Sequence, residues 1–378
     1  MLSNIFKDYV YPIAVFSGGM VGVGFLSLPY IAMQSGIWLT LLYFFVLTAL
    51  VVSINLIFCQ ISLKTPDFKR FPGFVGYYLG KWAEAFTMLS VIFSTIGVLL
   101  IYLLIGGQFL TSVFQPFFSG SVLFYVLIYF LVVSIIIYFD IKVVAKAEFW
   151  VMMLLFLSLF LVFIGGFSNI KFGNIFIGSW KSVIGNFFLP YGPLLFAIWG
   201  IGLIPEIEEM ITKKQGKQPK KSLKYIITTS TIIVSIFYFL FILLILGITG
   251  KQTEQTALQG LKNFLPNIFV LISLFIGALA TFTAFITQGI IFKKTLIFDL
   301  KIKHWQAFVM TCCPPLILYL LLFKYNSFIP LLSFIGGVLL GIDGILILLM
   351  YKKIGGKNII IYPLSLVFLF GIIYEIIY

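Results

Sequence analysis

The sequence predicts an all-α integral membrane protein of about eleven transmembrane helices, and three observations predict it. The 378 residues are 61% hydrophobic and 10% charged, against about a quarter charged in a soluble domain, and the mean hydropathy is +1.15. Long apolar runs recur along the whole chain, and about 20 such residues suffice to cross a hydrocarbon core about 30 Å thick. The basic residues sit in the short stretches between those runs and are shared unequally between alternate loops. A water-soluble globule is excluded.

The spans fall at about 11–35, 37–62, 85–111, 121–140, 147–168, 186–206, 223–247, 265–292, 305–323, 328–351 and 358–377. The longest connections are 63–84, 169–185, 207–222, 248–264 and 293–304. The first apolar run is too long, and too soon followed by another, to be a cleaved signal peptide. Cys59, Cys312 and Cys313 lie in or beside apolar runs. They match neither a disulfide framework nor a zinc spacing, and read as small packing residues.

Orientation follows from the basic residues. With the N-terminus inside, 20 of the 25 Lys and Arg residues fall in inner segments, Lys142 and Lys217 among them. The outer loops hold Lys171, Lys181, Lys251, Lys262 and Lys324. The N-terminus is therefore expected in the cytoplasm and the C-terminus outside, in the cell membrane. The net charge of +13 reads as a topology signal, with anionic inner-leaflet lipid as its counterion. No nucleic acid partner is expected.

Two spans carry helix-breaking residues at matching places. The first holds Gly18, Gly19, Gly22, Gly24 and Pro29; the sixth holds Gly200, Gly202 and Pro205. Five spans separate them, an odd number, so the two cross in opposite directions. That is the pattern of an inverted repeat of five plus five helices with the first helix of each repeat broken near the midplane. One polytopic domain over 1–378 is expected, with repeats at about 11–168 and 186–351 and an extra helix at 358–377.

A break inside lipid frees N–H and C=O groups that only a polar cavity or a ligand can satisfy. Around Gly22, Val23, Gly24 and Phe25 the freed N–H groups have positive dipole character and suit a carboxylate. Around Phe196, Ala197, Ile198 and Trp199 freed carbonyls suit an ammonium group. The plain alternatives are close helix packing through the Gly18–Gly22 pair and a packed or interfacial Trp199. Tyr102 and Gln108 of the third span are further pocket candidates. Thr281 and Thr283 of the eighth offer hydroxyl oxygens to sodium, although threonines also bond to their own helix carbonyls. Glu206 is a candidate coupling carboxylate or a surface partner of nearby lysines. Asp343 lies within the tenth span, where acids are rare; pairing with Lys352 competes. His304, the only histidine, reads as a surface residue.

The motifs resemble those of the amino acid/auxin permease family, within the amino acid–polyamine–organocation superfamily. The resemblance rests on Gly22-x-Gly24-x-Leu26-x-Leu28-Pro29-Tyr30, on Tyr78-Leu79-Gly80-Lys81-Trp82 followed by Gly97 to Gln108, and on Pro190-Tyr191-Gly192 through Ile204-Pro205-Glu206-Ile207. It covers the first two-thirds of the chain well and the last third by topology. It implies a LeuT-type fold in which the unwound parts of helices 1 and 6 hold the substrate's carboxylate and amine. Some proton-coupled relatives carry a lysine within the fifth helix; here Ala147 to Ser168 has none, and Lys146 comes too early.

The expected function is secondary active transport of an amino acid by alternating access, coupled to sodium or protons, with no other cofactor. The pocket candidates are mostly apolar and aromatic, and burying an unpaired charge is costly. The substrate is therefore expected to be neutral, aromatic or branched. The alternative is a non-transporting amino acid sensor on the same fold, like the permease-like subunits of spore germinant receptors. No catalytic constellation is visible, so no enzyme is expected, and the oligomeric state is left open.

Overall fold

The computed structural model describes residues 6–66, 69–139, 144–176, 185–215, 220–322 and 328–377. Of the basic residues used to orient the chain, Lys142, Lys181, Lys217 and Lys324 lie outside this set. The regular structure described is helical throughout.

The first span is α1 (Tyr11–Met20), a 3-10 turn (Val23–Ser27) and α2 (Leu28–Ser35), with a bend of 55° between its halves. Gly36, at φ +86°, turns the chain into α3 (Ile37–Lys64). Next come α4 (Phe71–Leu79), α5 (Lys81–Phe114), α6 (Val122–Tyr138) and α7 (Val144–Gly166). The sixth span is again in two parts, α8 (Tyr191–Ile198) and α9 (Ile204–Gln215), joined through a 3-10 turn at Ile201–Leu203. The rest is α10 (Lys220–Thr249), the short α11 (Ala257–Gly260), α12 (Asn267–Phe298), α13 (His304–Leu322), α14 (Ile329–Phe334), a π-helical turn (Ile335–Leu339), α15 (Leu340–Lys353) and α16 (Asn358–Ile377).

Among the described residues, seven uninterrupted helical stretches are long and apolar enough to cross a membrane, and the bent first span makes an eighth. The shorter apolar helices at Val122–Tyr138 and Met153–Asn169 and the divided sixth span stand where the remaining spans are expected. The protein is a multi-pass membrane protein.

Three local differences from the expected layout have clear causes. The connection at 63–84 contains α4, which starts on Pro72 in its first turn and stops at Gly80. At φ +94° Gly80 holds a backbone that a side chain would strain, so α5 starts afresh at Lys81. The tenth span contains a π turn rather than a uniform α-helix. Lys293, placed in an inner loop by the sequence, is fully buried at the end of α12. Its ammonium donates to the carbonyls of Ile137 and Tyr138 at the C-terminus of α6, where a cation complements the helix dipole.

The helices sort into two groups. In one, α12 lies along α5 and α7, and α5 also packs on α6 and α13. In the other, α10 packs on α1 and α3, and α8 packs on α3 and on the π turn. Close backbone approach sets the second group. A Cβ added at Gly336 would stand 2.0 Å from the Gly192 carbonyl oxygen. One added at Gly192 would stand 2.5 Å from that of Ser333. These are backbone atoms, so no rotamer change relieves the clash.

Gly336→Ala is therefore expected to force α8 and the π turn apart. Overpacking a tight interior costs about 1–3 kcal/mol, and the purified protein should melt several degrees below wild type in a thermal scan. An unchanged melting temperature would show that this approach is compliant.

Candidate functional site

The centre of the molecule is built from the two interrupted spans. Helix α1 ends at Met20 because Val21 (ψ +84°) and Gly22 (φ −100°, ψ −164°) leave the helical region. The 3-10 turn then starts at Val23. The N–H groups of Val23 and Gly24 open this turn, and the first N–H groups of any helix have no carbonyl behind them within the helix. On the other span, α8 runs to Ile198 and ends in extended backbone at Trp199 (ψ +125°). The last carbonyls of α8 are likewise without helical donors.

The interrupted regions pack directly on one another. A Cβ at Gly24 would meet Phe196 Cδ1 at 2.7 Å and Ala197 Cα at 3.3 Å. A Cβ at Gly200 would meet Phe16 Cζ at 3.0 Å and Met20 Cγ at 3.2 Å. Freed donors from one span and freed acceptors from the other are thus brought into one place. Val23, Gly24, Phe25, Ala197 and Ile198 are all buried there.

Tyr102 reaches this centre from α5. Its hydroxyl stands 3.0 Å from the position a Cβ would take at Gly22. Two further tyrosines, not singled out by the sequence, complete the arrangement. Tyr238 of α10 donates to the Met20 carbonyl at 3.1 Å, and that same oxygen accepts from the Gly22 N–H at 2.9 Å. Tyr129 of α6 and Tyr238 both lie within electrostatic range of the Tyr102 hydroxyl. Ser27 donates to the Gly24 carbonyl at 2.8 Å. Named side chains therefore satisfy carbonyls on both sides of the break.

The other candidates are spread more widely. Phe25 is buried in an aromatic cluster, stacked on Tyr238 at 5.4 Å and edge-on to Phe241 at 4.9 Å. Trp199 packs edge-on to Phe368 of α16 at 6.4 Å. Thr281 is fully buried and donates to its own helix at Ala278. Thr283 does the same at Leu279 and Ala280. Glu206 is exposed at the start of α9, in the field of Arg70 and Lys294. Among the neighbouring acids Glu206, Glu208 and Glu209, the buried one is Glu208, whose carboxylate accepts from the Ser62 hydroxyl. Asp343 in α15 is 8% exposed, and its Oδ1 has no hydrogen-bond partner among the described residues. His304 is exposed, beside Lys293.

Near the C-terminus of α12, Arg70 donates to Thr295 at 2.5 Å. Partial burial raises the Asp299 carboxyl above the ordinary carboxylate range, and the Arg70 charge opposes that rise.

The Tyr238 bond is open to a direct test. Tyr238→Phe keeps the ring and deletes the donor to Met20. Removing a partner of a buried carbonyl costs about 1–3 kcal/mol, so the variant should melt lower than wild type. Phe25→Ala should also destabilise the protein. A Tyr238→Phe protein as stable as wild type would mean that the Gly22 N–H alone satisfies the Met20 carbonyl.

A model of the tryptophan/tyrosine permease family matches residues 7–373. No curated protein matches the sequence. Among solved structures, MhsT in complex with L-phenylalanine is similar with a TM-score of 0.71 at 14% identity, over 97% of each chain. Mhp1, a nucleobase-cation-symport-1 family transporter with bromovinylhydantoin bound, is similar with a TM-score of 0.66 at 11% identity, over 89% of this chain and 76% of its own. A mutant of the Eremococcus coleocola manganese transporter is similar with a TM-score of 0.63 at 13% identity, over 98% of this chain and 94% of its own. At such identities the likeness shows the fold, which is the expected LeuT type. The family match overturns the expected assignment to the amino acid/auxin permeases. The motifs behind that assignment encode broken helices and close packing, which the fold requires in more than one family.

Proposed function

The chain belongs to the tryptophan/tyrosine permease family and is a secondary transporter of amino acids, and from that premise we propose that it carries an aromatic, electrically neutral amino acid held between its two helix breaks. The observation that supports this site is the contact of the Val23–Gly24 turn with the carbonyl end of α8 at Phe196 and Ala197. The substrate's carboxylate accepts from the N–H groups of Val23 and Gly24. Its ammonium group donates to the terminal carbonyls of α8. A zwitterion thereby satisfies both sets of groups that lipid cannot. Tyr102 bounds the pocket at Gly22, and Phe196 and Phe25 provide aromatic surface for the side chain.

Alternating access requires the two helix groups to move against each other about this point. We place the N-terminus in the cytoplasm and the C-terminus outside, following the excess of basic residues in the inner loops. The domain is a single unit with repeats at about 11–168 and 186–351, and α16 lies outside the repeats.

For coupling, Asp343 is the leading proton carrier. A buried carboxyl oxygen without a hydrogen-bond partner among the described residues is costly as a charge and sits naturally in a group that gains and loses a proton during the cycle. Thr281 and Thr283 are the competing sodium ligands. Their hydroxyl protons are committed to helix carbonyls, which leaves their oxygens available to a cation.

The deciding experiment is uptake of tritiated tryptophan and tyrosine into proteoliposomes under an imposed proton or sodium gradient. Concentrative uptake is expected. Gly24→Leu should abolish it while the protein still inserts and melts cooperatively, because the new side chain intrudes between the first break and Phe196 and Ala197 of α8. Wild-type binding without flux would return the protein to the sensor reading. Normal uptake by Gly24→Leu would remove the proposed site.

Asp343→Asn should leave exchange of tryptophan intact and abolish accumulation driven by a proton gradient. If accumulation instead follows sodium and Asp343→Asn is indifferent, the coupling assignment passes to Thr281 and Thr283.

A further inference from the structure

Tyr129 of α6 is buried, and its hydroxyl oxygen makes no hydrogen bond among the described residues. A phenylalanine ring would pack there equally well, so the oxygen by itself adds only a desolvation cost. A phenol left uncommitted in the interior of a membrane protein calls for a partner.

Two glycines of α5 bring it close to the centre. A Cβ at Gly106 would stand 2.7 Å from the Tyr129 hydroxyl oxygen and 2.6 Å from its Cζ, and one at Gly107 would meet Val126. Gly106 lies four residues beyond Tyr102, on the same face of α5 and about 6 Å along it at the helical rise. Tyr129 therefore lays its hydroxyl over the face of α5 whose other occupant, Tyr102, meets Gly22 of the first break. The two phenols are within electrostatic range of each other. From α12, Phe282 and Phe285 meet the Tyr129 ring edge-on at 5.8 and 6.2 Å and hold it in place. The Thr281 hydroxyl is also near, but its proton is committed to the Ala278 carbonyl.

A phenol oxygen accepts hydrogen bonds as well as donating one. Tryptophan carries an N–H on its ring and tyrosine an O–H, whereas phenylalanine carries neither. We propose that Tyr129 is a specificity-determining residue of the central site, its oxygen accepting a hydrogen bond from the ring-borne N–H of tryptophan or O–H of tyrosine. With the carboxylate held at Val23–Gly24, the substrate's side chain runs along α5 from Tyr102 toward Gly106, a span comparable with the length of an indole or phenol side chain. The bond satisfies two polar groups that would each be costly to bury alone. A site built to pair a ring donor rejects an analogue that lacks one, because its own polar group is then left unpaired. The inference rests on the central site proposed above and adds to it the group that reads the ring.

The test is displacement of tritiated tryptophan from the full chain in lipid nanodiscs by four unlabelled ligands. These are tryptophan, its 3-benzothienyl analogue, in which sulfur replaces the ring N–H, tyrosine and phenylalanine. In wild type, tryptophan should bind about tenfold tighter than its analogue, and tyrosine tighter than phenylalanine by a similar factor. In Tyr129→Phe both gaps should close, because tryptophan and tyrosine weaken while the other two ligands do not. In uptake, Tyr129→Phe should raise KM for tryptophan about tenfold with little change in kcat. Equal weakening of all four ligands would reduce Tyr129 to a packing residue and overturn the inference. So would a wild type without the gaps, which tests the inference even if Tyr129→Phe fails to fold. Either result, together with loss of all binding in Gly24→Leu, would leave the central site standing. Gaps that close in Tyr129→Phe while Gly24→Leu binds normally would support the role of Tyr129 and overturn the site between the breaks. No binding of any of the four ligands would overturn both.

Discussion

A backbone N–H or C=O that loses its helical partner inside hydrocarbon must find another, and this requirement organises the centre of the molecule. Interrupting α1 at Val21–Gly22 frees the Met20 carbonyl, which two donors then satisfy, the Gly22 N–H and the Tyr238 hydroxyl. The Gly24 carbonyl is met by Ser27. Each of these partners fixes a neighbour: Tyr238 stacks on Phe25, and Phe25 also meets Phe237 and Phe241 along α10. The hydrogen-bond requirement of one short break therefore settles where α10 lies, and through α10 the positions of α1 and α3.

Glycine and aromatic residues share the task of closing the structure around that break. Where two backbones must approach, glycine stands on both sides, as at Gly192 and Gly336. Where a ring must press close against a helix, glycine stands beneath it. Tyr129 covers Gly106, Phe368 covers Gly344 and Tyr191 covers Gly371. In water such contacts would be driven by burial of apolar area. Between membrane helices the lipid is as apolar as the side chains, and tight van der Waals packing has to supply the association. The high aromatic content, 18%, is in keeping with that demand.

Much of this was legible in the sequence. Apolar runs gave the spans, and glycine with proline marked both breaks, because those residues are costly inside a helix unless a break is needed. What was not legible depended on helix phase and tertiary placement. Tyr238 and Tyr129 are two of 19 tyrosines, and nothing local distinguishes a ring that reaches a freed carbonyl from one that faces lipid. Glu206, Glu208 and Glu209 fall within four residues, and only the phase of α9 decides that Glu208 is the buried one bonded to Ser62. Lys293 looked like a loop lysine because its acceptors, the last carbonyls of α6, are more than 150 residues away in sequence. The family was misread for a related reason. The motifs report helix breaks, and breaks belong to the fold before they belong to any one family.

The proposed central site also accounts for the scarcity of charge around it. A neutral amino acid carries a full positive and a full negative charge a few ångströms apart, and placing it at mid-membrane would ordinarily call for charged side chains of opposite sign. Such side chains are costly whenever the site is empty, since each is then a buried unpaired charge. Backbone groups avoid that penalty. The N–H groups at Val23–Gly24 and the carbonyls ending α8 carry only partial charges, amplified by the dipoles of the segments they terminate. An empty site is then tolerable and a filled one well satisfied, which is the condition for a carrier whose site must face each side of the membrane in turn.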